Sequence, residues 1–155
     1  MGRLYSVTID NVAATTAVDF FELTPADDKP IIIHEIRIGQ STEISDAQEE
    51  MLRVSIIRGY TASGSGGATP TPAPLIFEDT AAGCTADTMN STVATTGTAV
   101  ILVADTFNVR SGWLYVPTPE CRIRVGQGNT TVVVRLVAAP TDSITFSGTI
   151  IFEEL

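Results

Sequence analysis

His34 is the only histidine in this chain. A lone imidazole can act as a base or hold a metal, but both uses need partners. A hydrolytic triad needs a nucleophile beside the ring, and no nucleophile-elbow pattern occurs. A zinc site needs further nitrogen or sulfur ligands, and the two cysteines, Cys84 and Cys121, are far apart in unlike contexts. His34 shares its parity with Ile32, Ile36 and Ile38, which predicts a buried, hydrogen-bonded core histidine. The acidic pairs are Asp27-Asp28, Glu49-Glu50 and Glu153-Glu154. Adjacent residues of a strand point to opposite faces, so Glu153-Glu154 is a poor chelate. Asp27-Asp28 lacks the spacing of a calcium loop, and solvated turn charges are the simpler reading. The GSGG stretch at 64–67 has neither the lysine nor the following helix of a phosphate loop. The expectation is therefore a protein without catalytic residues, cofactor or metal, and not an enzyme.

One stretch still has the residue types of a binding platform: RSGWLYVPTPECRIRV at 110–125, with the only tryptophan of the chain. Trp113 and Tyr115 share one strand face, and Leu114 and Val116 share the other. Gly112 permits a bend before them. Pro117 and Pro119 stop the strand, because neither can donate to a ladder. In the following strand Cys121, Ile123 and Val125 are expected inward, and Arg122 and Arg124 outward. That splits the platform. Trp113 reads first as packing within the domain, with a subunit contact or a ligand as alternatives. Arg122 and Arg124 are expected to meet an acidic patch on a neighbour. Arg122, Arg124, Trp113 and Tyr115 are thus the candidate interface residues.

The elements that position these side chains are strands. The chain has 155 residues, a length that fits one domain with a core of its own. Hydrophobic residues make up 44% and charged residues 17%. Threonine is abundant and Lys29 is the only lysine, a composition that favours strands. The net charge of −9 argues against nucleic acid and against an anionic membrane surface. No apolar run approaches the roughly 18 residues of a membrane span. No signal-peptide core precedes the first alternating segment, so the cysteines are expected as thiols and the Asn90 and Asn129 acceptor patterns as coincidence. The start MGRLYS matches a myristoylation pattern, but residues 4–9 already read as strand.

Period-two alternation marks strands at 3–10, 17–24, 30–39, 51–60, 98–104, 108–116, 121–125, 131–138 and 143–153. In the last, Ile144, Phe146, Gly148, Ile150 and Phe152 are expected inward. Segment 98–104 (TAVILVA) is apolar on both parities and is expected to be covered on both faces. Ser45 and Gln48 form a capping-box pattern for a turn or two of helix. The GQGN stretch at 126–129 predicts a hairpin turn. Long loops are expected at about 61–74 and 79–98, with a short strand at 75–78 and a short helix near 86–92. The prediction is all-β: a single jelly-roll-like antiparallel β-sandwich of about eight strands over 1–155, with an immunoglobulin-like sandwich as the alternative.

Two segments, TFNVRSGWLYVPTPE at 106–120 and SITFSGTIIFEE at 143–154, resemble virion proteins of tailed bacteriophages, in particular the small jelly-roll capsid decoration (cement) proteins. IHEIRIGQSTE at 33–43 and the Gly/Pro loop before residue 75 are similar to that group as well. The resemblance implies a homotrimer on the outside of the capsid that bridges major capsid protein subunits, assembled in bacterial host cytoplasm. A symmetric oligomer suits a quasi-symmetric shell, and low charge suits buried interfaces. The competing readings are a carbohydrate-binding sandwich, in which Trp113 and Tyr115 stack on a sugar, and a tail or baseplate component.

Overall fold

The computed structural model describes residues 2–41, 49–126 and 130–155. The capping-box segment at Ser45 and Gln48 and most of the GQGN turn lie outside them. The described residues form two antiparallel sheets. The first holds β1 (Arg3–Ala14), β3 (Ile31–Gln40), β8 (Trp113–Tyr115) and β11 (Ile144–Glu154), with short β5 (Ala73–Pro74) and β9 (Arg124–Val125). The second holds β2 (Val18–Thr24), β4 (Met51–Tyr60), β6 (Thr85–Asn90), β7 (Gly97–Asn108) and β10 (Thr131–Leu136). The strand orders are β5-β1-β11-β3-β8 and β6-β2-β10-β4-β7, with β9 also on β3. Without β5, β6 and β9, eight strands remain, in the order β1-β11-β3-β8 facing β2-β10-β4-β7. This is a jelly roll, as expected.

The core lies between the sheets. Tyr5, Val7 and Ile9 of β1, Leu52, Val54 and Ile56 of β4, and Ile144, Phe146, Ile150 and Phe152 of β11 are buried there. Tyr5 stacks on Phe152 at 5.7 Å, and Phe20 meets Phe146 edge-on at 5.0 Å. In β3 the pairing with β11 jumps from Glu35↔Ile151 to Ile33↔Phe152, which leaves His34 as the extra residue of a bulge. A bulge changes which parity faces the core. Ile31, Ile33, Ile36 and Ile38 are the buried set, and Ile32 and His34 are not. The predicted facing of this strand was correct at Ile36 and Ile38 and inverted before the bulge.

Residues 61–96 join β4 to β7 and cross the outer face of the second sheet to reach the opposite edge. There β5 pairs with β1, and β6 pairs with β2. Ala94, on the way back, packs with Ile57, Tyr60 and Val133 in a small second core. This covering explains why β2 and the Val132-Val133-Val134 run are buried on both faces. Two local expectations fail. Residues 85–90 form strand β6 rather than a helix, because β2 offers them a ladder. Residues 75–78 form no strand; Leu75 donates to Leu4 and the chain then turns, with Asp79 N–H bonded to Ile76 O.

The segment expected to be covered on both faces is largely uncovered among the described residues. β7 pairs with β4 on one side only and is the edge of its sheet. Val100, Ile101 and Leu102 are exposed.

Candidate assembly surfaces

The four candidate interface residues part company. Trp113 is 6% exposed and belongs to the core. Its ring stacks on Tyr115 at 5.9 Å, and its Nε1–H donates to Asp105 at 3.1 Å. Gly112 sets this up with φ of 71°, and a Cβ there would sit 2.8 Å from Ile38 O. With one ring face on Tyr115 and the edge in the core, Trp113 has no open face for a sugar. Tyr115 packs against the same core, and burial pushes its hydroxyl pKa up. Leu114 and Val116 point out, 63% and 60% exposed, as their parity predicts.

The expected strand at 121–125 is mostly absent, so the inward–outward alternation drawn over it fails at its start. Pro119–Cys121 form a 3-10 turn, and Cys121 is exposed rather than inward. Only Arg124–Val125 pair with β3, which leaves Val125 buried and Arg124 exposed. Arg122 is half-buried, and its Nε has no partner among the described residues. Arg122 and Arg124 therefore do not form one outward pair on a regular strand.

Arg124 has a different companion. It lines a recess of about 280 Å³ with Arg58, Val100 and Val125, between β9 of the first sheet and β4 and β7 of the second. Arg58 and Arg124 make no ion pair among the described residues, whereas Arg3, Lys29, Arg37, Arg110 and Arg135 do. Sequence reasoning missed Arg58 and Val100, because only the fold brings β4, β7 and β9 together.

The second missed feature is on the opposite edge. The turn after β5 presents Leu75, Ile76 and Phe77, which are 50%, 63% and 98% exposed. Glu78 follows and is exposed too. The signal was available: three large apolar residues stand in a row inside a Gly/Pro-rich loop, where nothing local can bury them.

Several other titratable residues serve the framework. His34 is half-buried rather than a core residue, with Nε2 3.0 Å from Glu153. Burial pushes the Glu153 carboxyl up, but His34 and the Gly2 N–H outweigh it and hold the pKa below its ordinary value. Glu154, buried on the other face, accepts from the N–H groups of Gly83 and Cys84 and pairs with Lys29 at 3.3 Å. Cys84 is buried, and that burial with the nearby Glu154 charge pushes its thiol up to about 12. Asp19 takes Arg135 at 2.5 and 3.0 Å and the Ala94 N–H at 2.8 Å. Glu22 accepts the Gly64 N–H at 3.0 and 3.1 Å. These two buried carboxylates pin the crossing segment to β2.

No family model matches the chain, and no curated protein matches it. Among solved structures it is similar to a chain of an IBDV viral particle, at 14% identity and a TM-score of 0.24, over 99% of this chain and 39% of that one. It is also similar to a chain of the T=1 particles derived from infectious bursal virus, at 13% identity and a TM-score of 0.20, over 97% and 40%. The chain spans about two fifths of the length of the structures it matches.

Proposed function

We propose that this protein is a structural virion protein that decorates a capsid, bridges major capsid protein subunits and thereby stabilises the shell. It works by binding and not by catalysis. One observation carries the reading: large exposed apolar side chains gather along the two edges of the jelly roll. Phe77 stands out on the β5 edge, and Val100, Ile101, Leu102, Leu114 and Val116 lie on the β7–β8 edge. Exposed apolar surface of this kind marks interaction sites, and a sheet edge offers contact along its length to a large neighbour. The resemblance of 106–120 and 143–154 to phage decoration proteins supports a major capsid protein as the neighbour and a homotrimer on the virion surface as the form.

The test is reconstitution on capsids that lack the protein, followed by electron microscopy and a heat challenge. Density on the outer head surface and a raised disruption temperature are expected. Density only at the tail or baseplate would relocate the protein, and no binding to particles would end the proposal.

A further inference from the structure

The two exposed apolar features lie on opposite edges of one rigid sandwich. The Leu75-Ile76-Phe77 turn follows β5, on the edge formed by β1 and β6, while the recess lies beside β7 and β9 on the other. They cannot meet within one chain. Their chemistry is nonetheless matched. The turn offers a bare phenyl ring, 98% exposed, followed by the carboxylate of Glu78. The recess of about 280 Å³ has Val100 and Val125 as its apolar wall and Arg58 and Arg124 as cations without an ion pair among the described residues. An apolar cavity of about 150 Å³ already holds a benzene ring, so the size suits a phenyl group. In a chain with net charge −9, two arginines without an ion pair among the described residues, beside the uncharged 97–104 stretch of β7, are a local inversion of sign that selects an acidic partner.

We infer that the occupant is a second copy of this chain: Phe77 of one copy enters the β7–β9 recess of the next, with Glu78 against Arg58 and Arg124. Such a contact joins unlike surfaces. Repeated, it closes a ring when the rotation permits and runs into an open filament when it does not. The ring also covers the exposed side of β7, whose sequence is apolar on both parities and whose edge carries no lysine or proline to block pairing. Only the copy number of three rests on the capsid reading; the contact stands on the two edges themselves.

The test uses the full chain, light scattering after gel filtration, and photocrosslinking from benzoylphenylalanine placed at position 77. The wild type is expected to be a closed oligomer, and the crosslink to fall on the peptides holding Val100 or Arg124. Phe77→Ser touches nothing in the monomer, so its melting temperature as an isolated subunit is unaffected, while association weakens at least about 30-fold, the loss typical of a central aromatic anchor. Glu78→Arg and Arg124→Glu each dissociate the oligomer, and the two together restore part of it. A monomeric wild type, a Phe77→Ser chain that keeps its oligomer, or a crosslink elsewhere would each overturn the contact. A Phe77-dependent oligomer that binds no capsid keeps the contact and removes the capsid role; a capsid-binding trimer indifferent to Phe77 does the reverse.

Discussion

Glu22→Gln should make this protein more stable at pH 8 and leave it unchanged at pH 4. Glu22 is 1% exposed beneath the crossing segment, where it accepts the Gly64 N–H. Burial, with Asp19 nearby, raises its pKa from 4.5 to about 7, although Asn90 and the Gly64 N–H act in the opposite direction. Between those values the folded chain holds a proton that the unfolded chain has released. Stability from this group therefore falls as pH rises from 4.5 to about 7 and stays low above that. The rise is worth about 3 kcal/mol at roughly 1.4 kcal/mol per pH unit. Glutamine keeps a carbonyl oxygen for Gly64 and carries no charge, so it escapes this penalty. Urea unfolding of both proteins at several pH values measures the gap. It should be about 3 kcal/mol at pH 8, shrink through the titration window and vanish near pH 4. A gap that does not change with pH, or a variant less stable than the wild type at pH 8, would refute the burial argument.

Asp19→Ala should cost about 3–5 kcal/mol in urea unfolding, because it leaves the Arg135 guanidinium and the Ala94 N–H without their shared buried acceptor. Gly112→Ala should lower stability by about 1–3 kcal/mol, since φ of 71° and a Cβ 2.8 Å from Ile38 O both oppose it; an unchanged melting temperature would contradict that geometry. A maleimide should label one thiol per native chain, Cys121, and two after denaturation, because Cys84 is buried with its pKa raised to about 12. Mass mapping that finds Cys84 labelled in the native protein would place residues 83–84 away from Glu154.

The framework was legible because alternation is a direct consequence of pleating. β1, β4 and β11 face as their parities say, and the sandwich follows from the number of such segments. What failed did so for nameable reasons. The bulge at His34 adds one residue to β3 and inverts the facing before it, and no local pattern announces that insertion. β6 reads as a polar loop or helix by composition and becomes a strand only because β2 has a free edge. Arg122 and Arg124 share one outward face only if 121–125 is a strand, and Pro119 instead starts a 3-10 turn. Arg58 joins Arg124 through contacts between segments far apart in sequence.

The most informative mismatch is β7. Apolar residues on both parities mean that both faces are to be covered, and the rule holds elsewhere in the chain. The Phe20-Phe21 pair of β2 and the valine run of β10 break alternation in the same way, and both lie beneath the crossing segment with their two faces buried. The pattern therefore reports covering reliably and is silent about its source. For β2 and β10 the source is the chain's own residues 61–96. Those same residues carry the Phe77 turn away from β7 to the far edge, so they cannot cover β7 of their own subunit. A neighbour's can. In the proposed contact, the segment that completes the fold on one side of the sandwich is also the segment that would join subunits on the other, and the 98–104 pattern would be satisfied in the assembly rather than in the monomer.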